Sequence, residues 1–145
     1  MKPQNKTKIK ALIYAKVIAE TEAEYAEKRA ELESKLSICR KYVAENNWEL
    51  CQEFNDLNRG KDHTVPGLIE MMKKAVDNPY HILLVADPVD LSIRYRHGKN
   101  ILLHFKERGI RVHELKYGKT LTDSYRTRLE TIQDINRINA KVLNK

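Results

Sequence analysis

The run Ala11-Leu12-Ile13-Tyr14-Ala15-Lys16-Val17-Ile18 constrains the fold of this chain more than any other stretch. A strand with one wet face alternates apolar and polar side chains. A nearly continuous apolar run reads instead as a strand covered on both faces, as in a parallel sheet. Parallel neighbours cannot be joined by a tight hairpin, so each strand must be followed by a crossover, usually a helix.

The rest of the chain supplies that alternation. Residues 9 to 18 are the first strand. Tyr25, Arg29, Leu32, Leu36, Cys39 and Val43 follow at spacings of 4, 3, 4, 3 and 4, one stripe of a long helix that Asn46-Asn47 ends. Residues 48 to 54 form a second strand, and the polar segment Asn55 to His63 reads as a loop. Thr64 and Pro66 mark an N-cap and an early helical proline, with Leu68, Met71, Met72 and Val76 as the buried face of a second helix that Asn78-Pro79 closes. A third strand at 81 to 85, a third helix at 91 to 107, Gly109 as its C-cap and a fourth strand at 110 to 115 complete an α/β domain over residues 1–118. The expected architecture is a mainly parallel four- to five-stranded sheet with helices on both faces.

Residues 119–145 read differently. Thr122, Asp123 or Ser124 can cap a long terminal helix whose stripe is Tyr125, Leu129, Ile132, Ile135, Ile138 and Val142. Such a stripe needs a partner surface, either the domain's own sheet or a second subunit.

At 145 residues, with 41% hydrophobic and 32% charged residues, the chain fits one globular domain and neither a disordered nor a membrane protein. Its basic, polar start has no apolar signal core, which makes the expected location cytoplasmic, with no membrane partner. Cys39 and Cys51 lack metal-ligand spacing and read as reduced thiols. A net charge of +7 and a pI near 9.4 suit a partner rich in phosphate, and equally a surface of solvated lysines. Arg94-Tyr95-Arg96-His97-Gly98-Lys99 is the densest basic stretch, either a phosphate contact or a solvated helix face.

No cofactor is expected, because no glycine-rich nucleotide loop occurs. His63, His81, His97, His104 and His113 show no metal spacing, so no metal site is assigned. One alternative enzyme class stays open. Asn55, Asp56, Asp87 and Asp90 fall near strand ends, where ligands bind in open α/β sheets, and Asp56, Asp87 and Asp90 could hold a divalent cation for phosphoryl transfer. The plainer reading is that they are turn and cap residues.

Taken in order, five segments resemble the catalytic domain of the serine recombinases, the resolvase and invertase family, over roughly residues 10 to 116. "ALIYAKV" stands where that family has A-x-I-Y-A-R-V-S, and "LESKLSICRKYVAENNWEL" resembles its first helix and second strand. "RGKDHTVPGLIEMMKKA" is similar to its S-G-K-D-x-x-R-P-G-L segment, "ILLVADPVDLSIRY" to its strand ending in L-D-R-L-S-R, and "HFKERGIRVHEL" to its fourth strand.

The resemblance implies a resolvase-like fold and a chemistry in which a serine hydroxyl attacks a DNA phosphate while arginines clamp it. It also implies departures. Ile18 stands at the nucleophile, Lys16 at the arginine two residues earlier, Arg59 at the serine of S-G-K-D, and Val65 at the arginine before Pro66-Gly67. For L-D-R-L-S-R two registers remain open. One puts Val89 at the aspartate and Asp90 and Ile93 at the arginines; a one-residue slip makes Asp90 the aspartate, Leu91 the first arginine and Arg94 the second. The expectation drawn from these losses is a domain that is not an enzyme, acting through self-association or a recombinase-like partner in a DNA-related context such as a mobile element or phage. The alternative is a non-specific DNA-binding protein. Lys16, Arg59, Arg94, Arg96, Lys99, Arg126, Arg128 and Arg137 are the candidate DNA contacts, and the terminal stripe is the candidate dimer surface. The resemblance further implies that specific site recognition belongs to an appended helix-turn-helix module, which does not follow the terminal helix in this sequence.

Overall fold

A computed structural model describes residues 8–60, 64–91 and 95–124, with the side chains of 95–99 and 124 excepted. The terminal-helix stripe expected from Tyr125 to Val142 lies outside the described residues. Four parallel strands, β1 (Lys10–Ala19), β2 (Glu49–Arg59), β3 (Ile82–Val85) and β4 (Arg111–Glu114), form one sheet in the order β2-β1-β3-β4. Helix α1 (Tyr25–Glu45) covers one face; α2 (Pro66–Asp77) and α3 (Tyr95–Lys106) cover the other.

The alternation along β1 explains why its sequence is apolar throughout. Ala11, Ile13, Ala15 and Val17 pack under α1 against Leu32, Leu36, Cys39 and Val43, while Leu12 and Tyr14 face Leu68 and Met71 of α2 and Phe105 of α3. The first two members of the α1 stripe fall short of this core: Arg29 is exposed and Tyr25 only half-buried. Asn47 ends α1 in the left-handed region at φ 57°, a conformation asparagine tolerates.

Several details differ from the sequence expectation. Strand β2 continues through Asn55 to Arg59, where a loop was expected, because pairing with β1 runs on to Ala19 opposite Arg59. Tertiary pairing overrides the weak strand propensity of its Asn and Asp residues. A register shift between Ala11 and Leu12 leaves Cys51 bulged. In α2, Val76 is 56% exposed and Ala75 takes the expected core position with Leu68 and Met71. Helix α3 begins at Tyr95, since Pro88–Leu91 forms a separate 3-10 turn. Thr122, one of three cap candidates for the terminal helix, lies buried in the turn Leu121–Ser124, where its Oγ1 accepts the Val112 amide at 3.2 Å. Among the described residues no helix is long and apolar enough to cross a membrane.

Candidate functional site

At the carboxyl end of β1 a cleft of about 230 Å³ opens between the strand, α1 and the 3-10 turn, and Lys16, Ile18, Lys28, Lys35, Val89 and Asp90 line it. Each element delivers its residue for a local reason. Strand alternation turns Lys16 to the same face as Tyr14, and because β1 is central the lysine stem stays buried, at 7% exposure. Ile18, one pleat further, is 42% exposed at the rim with Val89. Lys28 and Lys35 are seven residues apart on α1, two turns on one face.

Asp90 is the electrostatic centre of the cleft. It is 1% exposed, and its Oδ1 accepts from Lys35 Nζ at 2.7 Å. Lys35 Nζ also donates to the Lys16 carbonyl at 3.0 Å, so one ammonium ties α1, β1 and the turn together. Asp90 Oδ2 has no hydrogen-bond partner among the described residues. Burial pushes the Asp90 carboxyl up, against the opposing pull of Lys35. Burial likewise pulls the Lys16 ammonium down, with Asp90 and Asp56 acting in the other direction. Lys28 is paired with Glu31 at 3.3 Å.

Asp56 has a different task. Its Oδ2 accepts from Tyr14 Oη at 2.7 Å and from the Leu68 amide at 3.0 Å, and its Oδ1 accepts from the Gly67 amide at 2.8 Å. A carboxylate of β2 therefore caps α2, whose N-cap position is Val65 where Thr64 was expected, and the positive end of that helix is neutralised from within. Burial, followed by the Asp56 contact, pushes the Tyr14 hydroxyl far above its ordinary range.

The remaining predicted residues divide clearly. Val65 is 7% exposed and belongs to the apolar core beside Leu68, away from the cleft. Arg59 is exposed at the end of β2 and stacks over the Tyr25 ring at 3.8 Å from its centroid, with Glu22 at 3.8 Å. Hydrogen bonding to Arg59 lowers the Tyr25 hydroxyl. Asp87 accepts the Val89 amide at 3.0 Å and faces Lys116 at 3.6 Å. Asp56, Asp87 and Asp90 are thus each engaged separately, and among the described residues no group of three or more His, Cys, Asp or Glu side chains could hold a metal ion. Arg94, Arg126, Arg128, Arg137 and the terminal stripe fall outside the described residues, as do the side chains of Arg96 and Lys99. Lys28 and Lys35 were missed by sequence reasoning; their seven-residue spacing beside the apolar stripe of α1 was the available signal.

The chain belongs to the resolvase N-terminal domain family, whose model matches residues 11–145. No curated protein matches the chain. Among solved structures it is similar to the C-terminal catalytic domain of ISC1926 TnpA, an IS607-like serine recombinase, at 17% identity and TM-score 0.62, covering 90% of this chain and 79% of that one. A resolvase family site-specific recombinase from Streptococcus pneumoniae gives 17% identity and TM-score 0.65, covering 94% and 93%. The N-terminal catalytic domain of TP901-1 integrase gives 16% identity and TM-score 0.60, covering 92% and 98%. The expectation that the chain is not an enzyme is corrected by these findings: its family and its structural neighbours are catalytic recombinase domains. Ile18 shows what one side chain cannot do; it does not by itself establish that the domain is inactive.

Proposed function

We propose that this domain acts on DNA, meeting the phosphodiester backbone at the carboxyl end of β1, and that it works as an assembly of more than one subunit. The placement of Lys16 carries this reading. A lysine that is 7% exposed at the centre of a sheet lowers stability, and such costs concentrate where a ligand is bound. This one stands where the resembled family has an arginine, in a cleft that two further lysines share. The net charge of +7 supports a polyanionic partner. The burial of Asp90 inside the cleft favours the register in which it is the aspartate of L-D-R-L-S-R and Arg94 the second arginine. DNA strand exchange by phosphoryl transfer is the reaction class that goes with this reading, and the terminal stripe from Tyr125 to Val142 is its assembly surface.

The test is duplex binding followed by fluorescence anisotropy across a salt series. With about four phosphates neutralised, affinity should fall roughly a hundredfold for a fourfold rise in salt, with little dependence on sequence. Absent binding, or tight binding insensitive to salt, overturns the reading. Denaturing gels address the reaction class: DNA that remains linked to protein supports it, and a duplex left intact where another recombinase domain cleaves counts against it.

A further inference from the structure

Lys35 lies in the helical segment of the family resemblance but at none of the site positions that the resemblance names, yet it is the cation that ties the cleft together. It spends one donor on Asp90 and one on the Lys16 carbonyl, and among the described residues the third has no hydrogen-bond partner. Asp90 is a monoanion with two oxygens, the same charge and donor demand as a phosphodiester. It is an incompletely satisfied one, since Oδ2 has no partner among the described residues while the group is 1% exposed. A buried carboxylate that draws on Lys35 and on the Lys16 backbone but leaves one oxygen without a partner among the described residues can be outcompeted by an anion whose binding releases counterions.

We propose that Lys35 is a second phosphate ligand of the cleft and that Asp90 masks it in the free protein by standing where a phosphate oxygen would stand. This rests on the DNA-binding reading above. In the free state Lys35 is held to Asp90; on binding it turns to the backbone phosphate nearest Lys16. Duplex affinity is then set partly by an internal competitor, and removing that competitor's charge tightens binding.

The experiment measures anisotropy of a labelled mixed-sequence duplex against salt for the wild type, Asp90→Asn and the double variant Lys35→Gln with Asp90→Asn. Asp90→Asn keeps the shape of the side chain, and it should bind about tenfold tighter at low salt with a salt slope steeper by about one. The double variant should lose both gains. Unchanged or weaker binding by Asp90→Asn overturns the proposal. So does a gain that persists in the double variant, which would mean that the charge acts at a distance and not through Lys35. Circular dichroism checks the fold; if Asp90→Asn does not fold, Asp90→Ser carries the same expectation. The two readings separate cleanly: a wild type that binds while Asp90→Asn gains nothing sinks only the mask. A wild type that fails to bind sinks the DNA-binding reading and, with it, the mask that rests on it.

Discussion

Gly67 lies so close to Asn55 that a Cβ there would stand 2.3 Å from the Asn55 carbonyl oxygen and 3.0 Å from Asp56 Oδ1. This approach is what brings the first amides of α2 within reach of the Asp56 carboxylate. Backbone cannot yield as a flexible side chain can, so Gly67→Ala should cost about 1 to 3 kcal/mol by overpacking. Urea denaturation measures it as a lower midpoint at unchanged slope. A variant as stable as the wild type would show that the β2 to α2 contact relaxes freely.

Tyr14→Phe and Asp56→Ala should rank in a fixed order. The first removes one donor to a carboxylate that keeps two amides, a loss of about 1 kcal/mol. The second leaves a buried hydroxyl and two helix amides without their acceptor, about 3 kcal/mol. Equal losses in chemical denaturation would mean that the tyrosine hydroxyl, and not the helix cap, is the main contribution.

Lys16 should trade stability for its place in the cleft. Burial lowers its folded-state value, so between that value and the ordinary 10.5 the unfolded chain binds more protons and stability rises with pH. Lys16→Met should therefore stabilise the fold at neutral pH, by about 1 kcal/mol, while weakening duplex binding. The stability gap should close as pH approaches the ordinary lysine value. A destabilised Lys16→Met protein would mean that the ammonium is held by contacts worth more than its desolvation.

The two thiols should react in sequence. Cys51 is exposed on the bulge of β2, whereas Cys39 is fully buried and burial pushes its thiol up to about 12. A disulfide reagent in excess should modify Cys51 in the native state and Cys39 only as the domain unfolds. Fast modification of both would place the α1 face in exchange with an open form.

Ile135→Asp combined with Ile138→Asp tests the assembly surface. Burying three side chains of this size contributes about 1.5 to 3 kcal/mol each, enough for a micromolar dimer after association costs. Sedimentation should find a dimer for the wild type and a folded monomer for the variant. A wild type that stays monomeric at high concentration places the stripe inside the domain.

The fold was legible because β1 carries its burial on both faces in its own residues, and because Leu32, Leu36, Cys39 and Val43 repeat at helical spacing. The site was legible only in part. Lys16 and Ile18 are fixed by strand order, but the role of Lys35 depends on which turn of α1 comes to rest beside Asp90, a relation between residues 55 apart that no local pattern encodes. Asp56 misled for the same reason: as a loop residue it is a candidate ligand, while as part of an extended β2 it is a helix cap. Val65 follows suit, since its partner Leu68 draws it into the core.

The order β2-β1-β3-β4 also sets a sequence of events during synthesis. A β1-α1-β2 unit is complete once Arg59 has emerged, but the second edge of β1 is filled by Ile82–Val85, which emerges later. Until then Ala11, Leu12 and Ile13 present unpaired amides and carbonyls along an apolar strand, the kind of edge that recruits other chains. Chains truncated between residues 60 and 81 should accordingly aggregate rather than fold, and the interval between β2 and β3 is when the nascent protein most needs protection.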